Sequence, residues 1–164
     1  MFPQSPSAPT SSITPDARRY DFRAALASIP LSTRWVHHGR DIEKDGGLDC
    51  LGFVLAVYKG AGLDMAKLDL PYAKGDADKK HRVPLLIRQI EKQFRFVHGL
   101  VPQDCRDGDL LIIGPGRDNH IAVVVNNCAA EMAMPRVGNR SVRLHRLNTV
   151  WSFVSCGYRH KSLW

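Results

Sequence analysis

Two residue types in this chain are suited to covalent chemistry by their surroundings, a cysteine at position 50 and a histidine at position 120. The run Gly46-Gly47-Leu48-Asp49-Cys50-Leu51-Gly52-Phe53-Val54-Leu55-Ala56-Val57-Tyr58 sets the cysteine between a glycine turn and an apolar pattern. Leu51, Val54, Leu55 and Tyr58 recur at helical spacing, so Cys50 should open a helix. A thiol in a first helical turn meets unpaired backbone N–H groups and the positive end of the helix dipole, and both favour thiolate. The alternative is that Cys50 is a small buried apolar residue, the ordinary state of a lone cysteine.

Downstream, Arg106-Asp107-Gly108-Asp109-Leu110-Leu111-Ile112-Ile113 and Asn119-His120-Ile121-Ala122-Val123-Val124-Val125 read as two short strands joined by the turn Gly114-Pro115-Gly116-Arg117-Asp118. The second strand begins with His120, and a histidine there can face a helix N-terminus. A thiolate paired with an imidazole is an activated nucleophile for acyl transfer.

These pieces resemble the NlpC-type cysteine peptidases, papain-like endopeptidases that act on bacterial cell-wall peptide stems. The family pattern is a helix, Thr-Pro-Tyr with a glycine-rich stretch, Asp-Cys-Ser-Gly-Phe, Gly-Asp-Leu, and His-Val-Gly-Ile opening a strand. The counterparts here are Thr33-Arg34-Trp35 with Gly39-Arg40, Asp49-Cys50-Leu51-Gly52-Phe53, Gly108-Asp109-Leu110 and His120-Ile121-Ala122-Val123, in order across roughly residues 20 to 160. The resemblance implies Cys50 as nucleophile and His120 as its partner, with no metal or cofactor. It also implies that Trp35 lines the substrate groove and that Asp49 helps to hold the free amino group of the stem peptide. On the residues alone, Trp35 reads equally as a packing aromatic and Asp49 as the N-cap of the Cys50 helix, a role compatible with ligand binding.

The chain departs from the family at the polar residue that orients the histidine. That residue lies about twelve positions past the catalytic histidine, and here Met132 falls there within Cys128-Ala129-Ala130-Glu131-Met132. Methionine cannot serve an imidazole as a useful acceptor. Glu131 is the catalytic candidate for this role, but adjacent strand residues face opposite sides, so its use should require a bulge or a shifted register. A backbone carbonyl or water in its place, or a domain without activity, are the other outcomes. His145, in an alternating stretch, is expected on an exposed face, and His160 lies near the terminus; neither is assigned to catalysis. His37 and His38 read as surface residues.

The elements that must position these groups follow from the rest of the chain. Residues 1–17, rich in Pro, Ser and Thr, should be a flexible leader, and 18–164 one domain. A first helix is expected from Pro15-Asp16 through Phe22, Ala25, Leu26 and Ile29 to Pro30. A loop over residues 31–49 should fold over the site. The Cys50 helix should end at Gly60-Ala61-Gly62, residues 63–82 should form an exposed connection, and Pro84 to Phe94 a packing helix. Strands are expected at 109–113, 120–126, 129–134, 141–146 and 152–159, with turns at 114–118, Asn126-Asn127 and 135–140. This is an α+β domain with a papain-like core, N-terminal helices packed on an antiparallel β-meander.

The composition, 44% apolar and 24% charged over 164 residues, describes an ordinary globular domain. The net charge of +7 favours an anionic matrix without choosing one. No basic block stands beside a row of aromatics, which argues against a nucleic-acid partner. No apolar run has transmembrane length, and the start Met1-Phe2-Pro3-Gln4-Ser5 lacks the basic and apolar regions of a secretory signal. The four cysteines, Cys50, Cys105, Cys128 and Cys156, have no zinc-like spacing and should be reduced. The expectation is a cysteine hydrolase of cell-wall stem peptides, cytoplasmic as made. The resemblance extends to members carried on phage tails or gene-transfer particles, which would deliver it to the wall. The rival expectations are an inactive basic wall-binding or tail module on the same scaffold and an amidase for another substrate.

Overall fold

A computed structural model describes residues 20–63, 65, 68, 87–114, 120–133 and 141–164. Three helices come first: α1 (Phe22–Ala27), α2 (Ile42–Asp45) and α3 (Cys50–Gly60). A helical segment over residues 87–93, α4, leads into β1 (Phe94–Phe96). Then come β2 (Asp109–Ile113), β3 (His120–Val125), β4 (Cys128–Met132), β5 (Val142–Arg146), the short α5 (Leu147–Val150) and β6 (Val154–His160). All strand pairs are antiparallel, in the sheet order β1-β6-β2-β3-β4-β5. The architecture is α+β.

One sheet face carries the main core. Leu110, Ile112, Ile121, Val123, Val125, Ala130 and Met132 pack there with Leu51, Phe53, Val54, Val57 and Tyr58 of α3 and Phe22 and Ala25 of α1. Apolar residues at helical spacing on α3 meet apolar residues at every second position of the strands, which fixes which side of each element faces inward. The ring of Tyr58 meets Phe22 and Phe94 edge to face at 5.3 and 5.7 Å. Its buried hydroxyl donates to the carbonyl of Gly108. On the other face, Leu111, Ala122, Val124, Ala129 and Leu147 form a smaller cluster, flanked by Leu100, Cys105, Trp151 and Val154.

Several expectations need correction. The first helix begins at Phe22, capped by Asp21, whose carboxylate accepts from the N–H of Ala24 at 2.8 Å; Tyr20 is not helical. Residues 1–19 lie outside the described residues, as do 115–119, 134–140 and most of 63–82. Where that connection is described it is not exposed, because Leu63, Met65 and Leu68 are buried in the main core. Phe94 opens a strand instead of closing α4, yet it keeps its buried position against Tyr58. The strand starting at Val154 is not the next stave of a meander after β5. The turns over 147–153 carry the chain back across the sheet so that β6 inserts between β1 and β2.

What holds β6 there is an ion pair in the interior. Asp109 and Arg159 are directly opposed in the ladder, and Nε and Nη2 of the arginine donate to Oδ1 and Oδ2 of the aspartate, each at 2.7 Å. The two side chains are 0% and 6% exposed. Oδ2 also accepts from the backbone N–H of Arg106 at 2.8 Å, and Arg159 donates to the carbonyl of Asp104 at 3.1 Å. A buried fork-to-fork pair with its remaining lone pairs satisfied specifies a register more than it adds stability. Asp109, found from its Gly-Asp-Leu context, is therefore a structural residue.

Candidate active site

Cys50 is the first residue of α3, and the chain on either side of it is tightly fixed. Asp49 caps the helix, its Oδ1 accepting from the N–H of Gly52 at 2.7 Å and from Nη1 of Arg40 at 2.5 Å. Its side chain is 5% exposed, so these protein groups enclose the carboxylate. The preceding loop is stitched to the same place by backbone bonds. Leu48 N–H donates to Arg34 and accepts, through its carbonyl, from Val36, both at 3.0 Å, and Asp49 N–H donates to Gly39 at 3.1 Å. Gly52 is required for this approach, because a Cβ there would overlap the carbonyl oxygen of Gly39. The Asp-Cys-x-Gly spacing thus has a steric cause: the cap comes before the sulfur and the glycine lets the loop cross the first turn. The one-turn α2, capped by Asp41 through the N–H groups of Glu43 and Lys44, interrupts what the glycines suggest is all loop.

Trp35 runs parallel to Leu48 in an isolated bridge, and its N–H donates to Oγ of Ser141 at 3.1 Å. The half-buried indole packs on the main core, stacked on His37 at 5.8 Å with the planes 25° apart. His37 in turn meets His38 at 4.0 Å, so these histidines extend the aromatic surface beside Trp35.

His120 is the first residue of β3, at the rim of the sheet. Burial works against a charged ring there, but the Cys50 thiol and then the Glu131 carboxylate, each within interaction range, outweigh it and raise the imidazole to about 9. Nε2 of His120 lies 3.1 Å from Oε2 of Glu131, with side-chain exposures of 24% and 10%. That distance is an ion-pair contact, and among the described residues the buried Nε2 has no partner in hydrogen-bond geometry. Burial pushes the Glu131 carboxyl up, but His120 and, less strongly, His145 overcome this and hold it below the usual glutamate value.

Of the two routes expected for Glu131 to reach His120, a bulge or a shifted register, the register is the one used. Asn126 and Asn127, at φ 52° and 59°, make a two-residue turn of the primed kind that pairs Val125 with Cys128. From the pairs Val124 with Ala129 and Val123 with Ala130, alternation places His120 and Glu131 on one side. Met132 falls on the other, fully buried beside Ile121 in the main core. The Asn-Asn turn was the signal in the sequence that could have fixed this register.

The structure thus gathers Cys50, His120 and Glu131, with Asp49 and Arg40 under the helix start. His145 was missed. It lies on β5 with Nε2 3.3 Å from Oε1 of Glu131, not on a free exposed face. His160 is remote from the site, its ring edge-on to Phe94 and Nδ1 accepting from the N–H of Ser162 at 3.1 Å. The four thiols are free.

No protein-family model matches the sequence, and no curated protein is similar to it by sequence. Among solved structures, the chain matches a crystal structure of a protein from Staphylococcus aureus described as similar to lipoprotein, of the NLP/P60 family. The TM-score is 0.52 at 13% identity, over 95% of this chain. The fold is NLP/P60-like. The chain spans 45% of the length of that neighbour. α3, which starts at Cys50, packs on β3, which starts at His120, and on β4, and the thiol and the imidazole are within interaction range.

Proposed function

We propose that the protein is a cysteine hydrolase of cell-wall stem peptides, with Cys50 as nucleophile, His120 as acid and base, and Glu131 as the group that orients His120. The observation that carries this reading is a thiol at a capped helix start beside an imidazole whose Nε2 is held against a carboxylate. With Nε2 turned to Glu131, Nδ1 is the ring nitrogen left for sulfur, and the proton passes from thiol to imidazole to give a thiolate–imidazolium pair. The thiolate adds to an amide carbonyl carbon; the tetrahedral oxyanion is met by N–H groups of the first turn of α3, a contribution of about 3–4 kcal/mol. Collapse breaks the C–N bond as the imidazolium gives its proton to the leaving amine, and His120 then takes a proton from the water that hydrolyses the thioester.

Trp35 and Asp49 are the substrate-side residues of this reading. Trp35 offers a ring against the stem peptide, and Asp49 the anion for its free amino group, in exchange for the Arg40 guanidinium. The bond cut is the γ-D-glutamyl to diamino-acid linkage that the family resemblance implies. An inactive wall-binding module was favoured by Met132 at the orienting position, and with Glu131 against His120 that reason lapses.

Purified protein should release new amino termini from peptidoglycan, and Cys50→Ala or His120→Ala should abolish release while leaving the circular dichroism spectrum unchanged. Near pH 6, Cys50 should react with iodoacetamide far faster than Cys105, Cys128 or Cys156, because only an imidazole-paired thiol is substantially thiolate there. Equal release by the mutants, or four thiols of equal reactivity, would remove the hydrolase reading.

A further inference from the structure

Glu131 stands between two imidazoles, one for each of its oxygens. Oε2 faces Nε2 of His120 at 3.1 Å and Oε1 faces Nε2 of His145 at 3.3 Å. Three adjacent strands supply one residue each. The β4–β5 register sets Ala129 opposite His145 and Glu131 opposite Arg143, so His145 is the diagonal neighbour of Glu131 on the same face. A carboxylate held at one oxygen can still turn about its broad terminal torsion. A donor on the second oxygen stops that turn, and the Nε2–H of a neutral histidine is such a donor. A protonated histidine at the same place becomes a second cation drawing on one negative charge.

We propose that His145 is a positioning residue of the Cys50–His120 pair, acting through Glu131: neutral, it fixes the carboxylate against His120, and protonated, it draws that charge away. The consequence for turnover rests on the hydrolase reading; the coupling between the two histidines does not. Among the described residues, the charged and titratable groups facing His145 are few. Glu131 is its partner on β4, and His120 lies beyond it on β3. Arg143, two residues away on its own strand and opposite Glu131, is a constant cation. The following helix α5, Leu-Asn-Thr-Val, carries no ionisable side chain. His145, with a side chain 36% exposed, can exchange its proton with solvent while the 10% exposed Glu131 cannot easily be reached.

The test uses the full chain with wild type, His145→Gln and His145→Ala. Glutamine keeps an N–H donor near the position of Nε2 but does not titrate. Two quantities are read, the pH at which the His120 ring loses its proton, by NMR, and the rate of Cys50 alkylation by iodoacetamide against pH. The Ala variant is expected to shift the His120 titration downward and to slow alkylation at neutral pH by about tenfold, the effect of losing a hydrogen bond to a charged group. The Gln variant, which keeps a donor to Oε1, is expected within about threefold of wild type at neutral pH. A role confined to folding would lower the melting temperature and leave the His120 titration where it was, and that unchanged titration in both variants would overturn the proposal. Wild-type Cys50 reacting no faster than the other thiols would instead overturn the hydrolase reading, while the His120 titration still decides the role of His145.

Discussion

His120 keeps its proton against the effect of its own burial, because a thiol and a carboxylate stand at its ring. The sign of the resulting pH dependence follows. Its folded value, about 9, is above the ordinary 6.5, so the stability it contributes is fully present below the unfolded value and is lost as pH rises through about 9. In the proposed mechanism the imidazolium that protonates the leaving amine disappears over the same range, and the alkaline limb of the pH–rate profile should fall there. Glu131→Gln removes the anion and should move that limb to lower pH, which a profile of amino-terminus release would detect. Glu131 works in the opposite sense: held below 4.5, it contributes stability present above that value and lost as pH falls through its folded value. Burial pushes the Cys105 thiol up to about 12 and raises that of Cys156, so neither should compete with Cys50 for an alkylating reagent.

The helix start and the β3–β4 turn are the two elements that bring the site together, and each can be tested alone. Asp49→Ala removes the cap of α3 and the carboxylate that accepts from Arg40, and should cost about 1 kcal/mol or somewhat more in urea denaturation. Asp49→Asn, an equally good cap, should cost clearly less. Asn126→Ala removes the side-chain amide that lets asparagine tolerate left-handed backbone at φ 52° and should cost roughly 1 kcal/mol, with Asn127→Gly tolerated because the turn type favours it. The start of α3 was legible in the sequence because cap, glycine and apolar spacing are all local signals. The strand bearing His120 was legible for the same reason. The partner of His120 was not, because side-chain facing depends on pairing across strands. Assigning the orienting position by distance along the chain led to Met132, whereas counting outward from Asn126-Asn127 leads to Glu131. The place of His145 was illegible for a further reason: its contact with Glu131 is a diagonal one across to β4 that no local pattern encodes.

In the molecule as a whole, helices followed by an antiparallel sheet were predictable from the order of the elements, but β1 and the place of the last strand were not. Short connections suggest neighbours, and the turns over 147–153 instead return the chain past β2. Asp109 and Arg159, fifty positions apart, are the pair that this return joins. Arg159→Met strands a fully buried carboxylate and should cost roughly 3–5 kcal/mol, measured by denaturant unfolding. Replacing both residues with apolar ones of similar volume should cost much less than either single change. A double-mutant cycle on the two positions distinguishes this from simple loss of packing.

The interior position of β6 also bears on when the protein can act. A nascent chain released from the ribosome up to Arg146 already carries the sulfur, both imidazoles and the carboxylate between them. It lacks the strand that closes β2 and the guanidinium that neutralises Asp109. Folding that proceeds from the amino end therefore has to wait for β6 to be translated before the Cys50–His120 site is held rigid. A truncation just before Val154 should leave Cys50, His120, Glu131 and His145 present in the polypeptide and amino-terminus release from peptidoglycan absent.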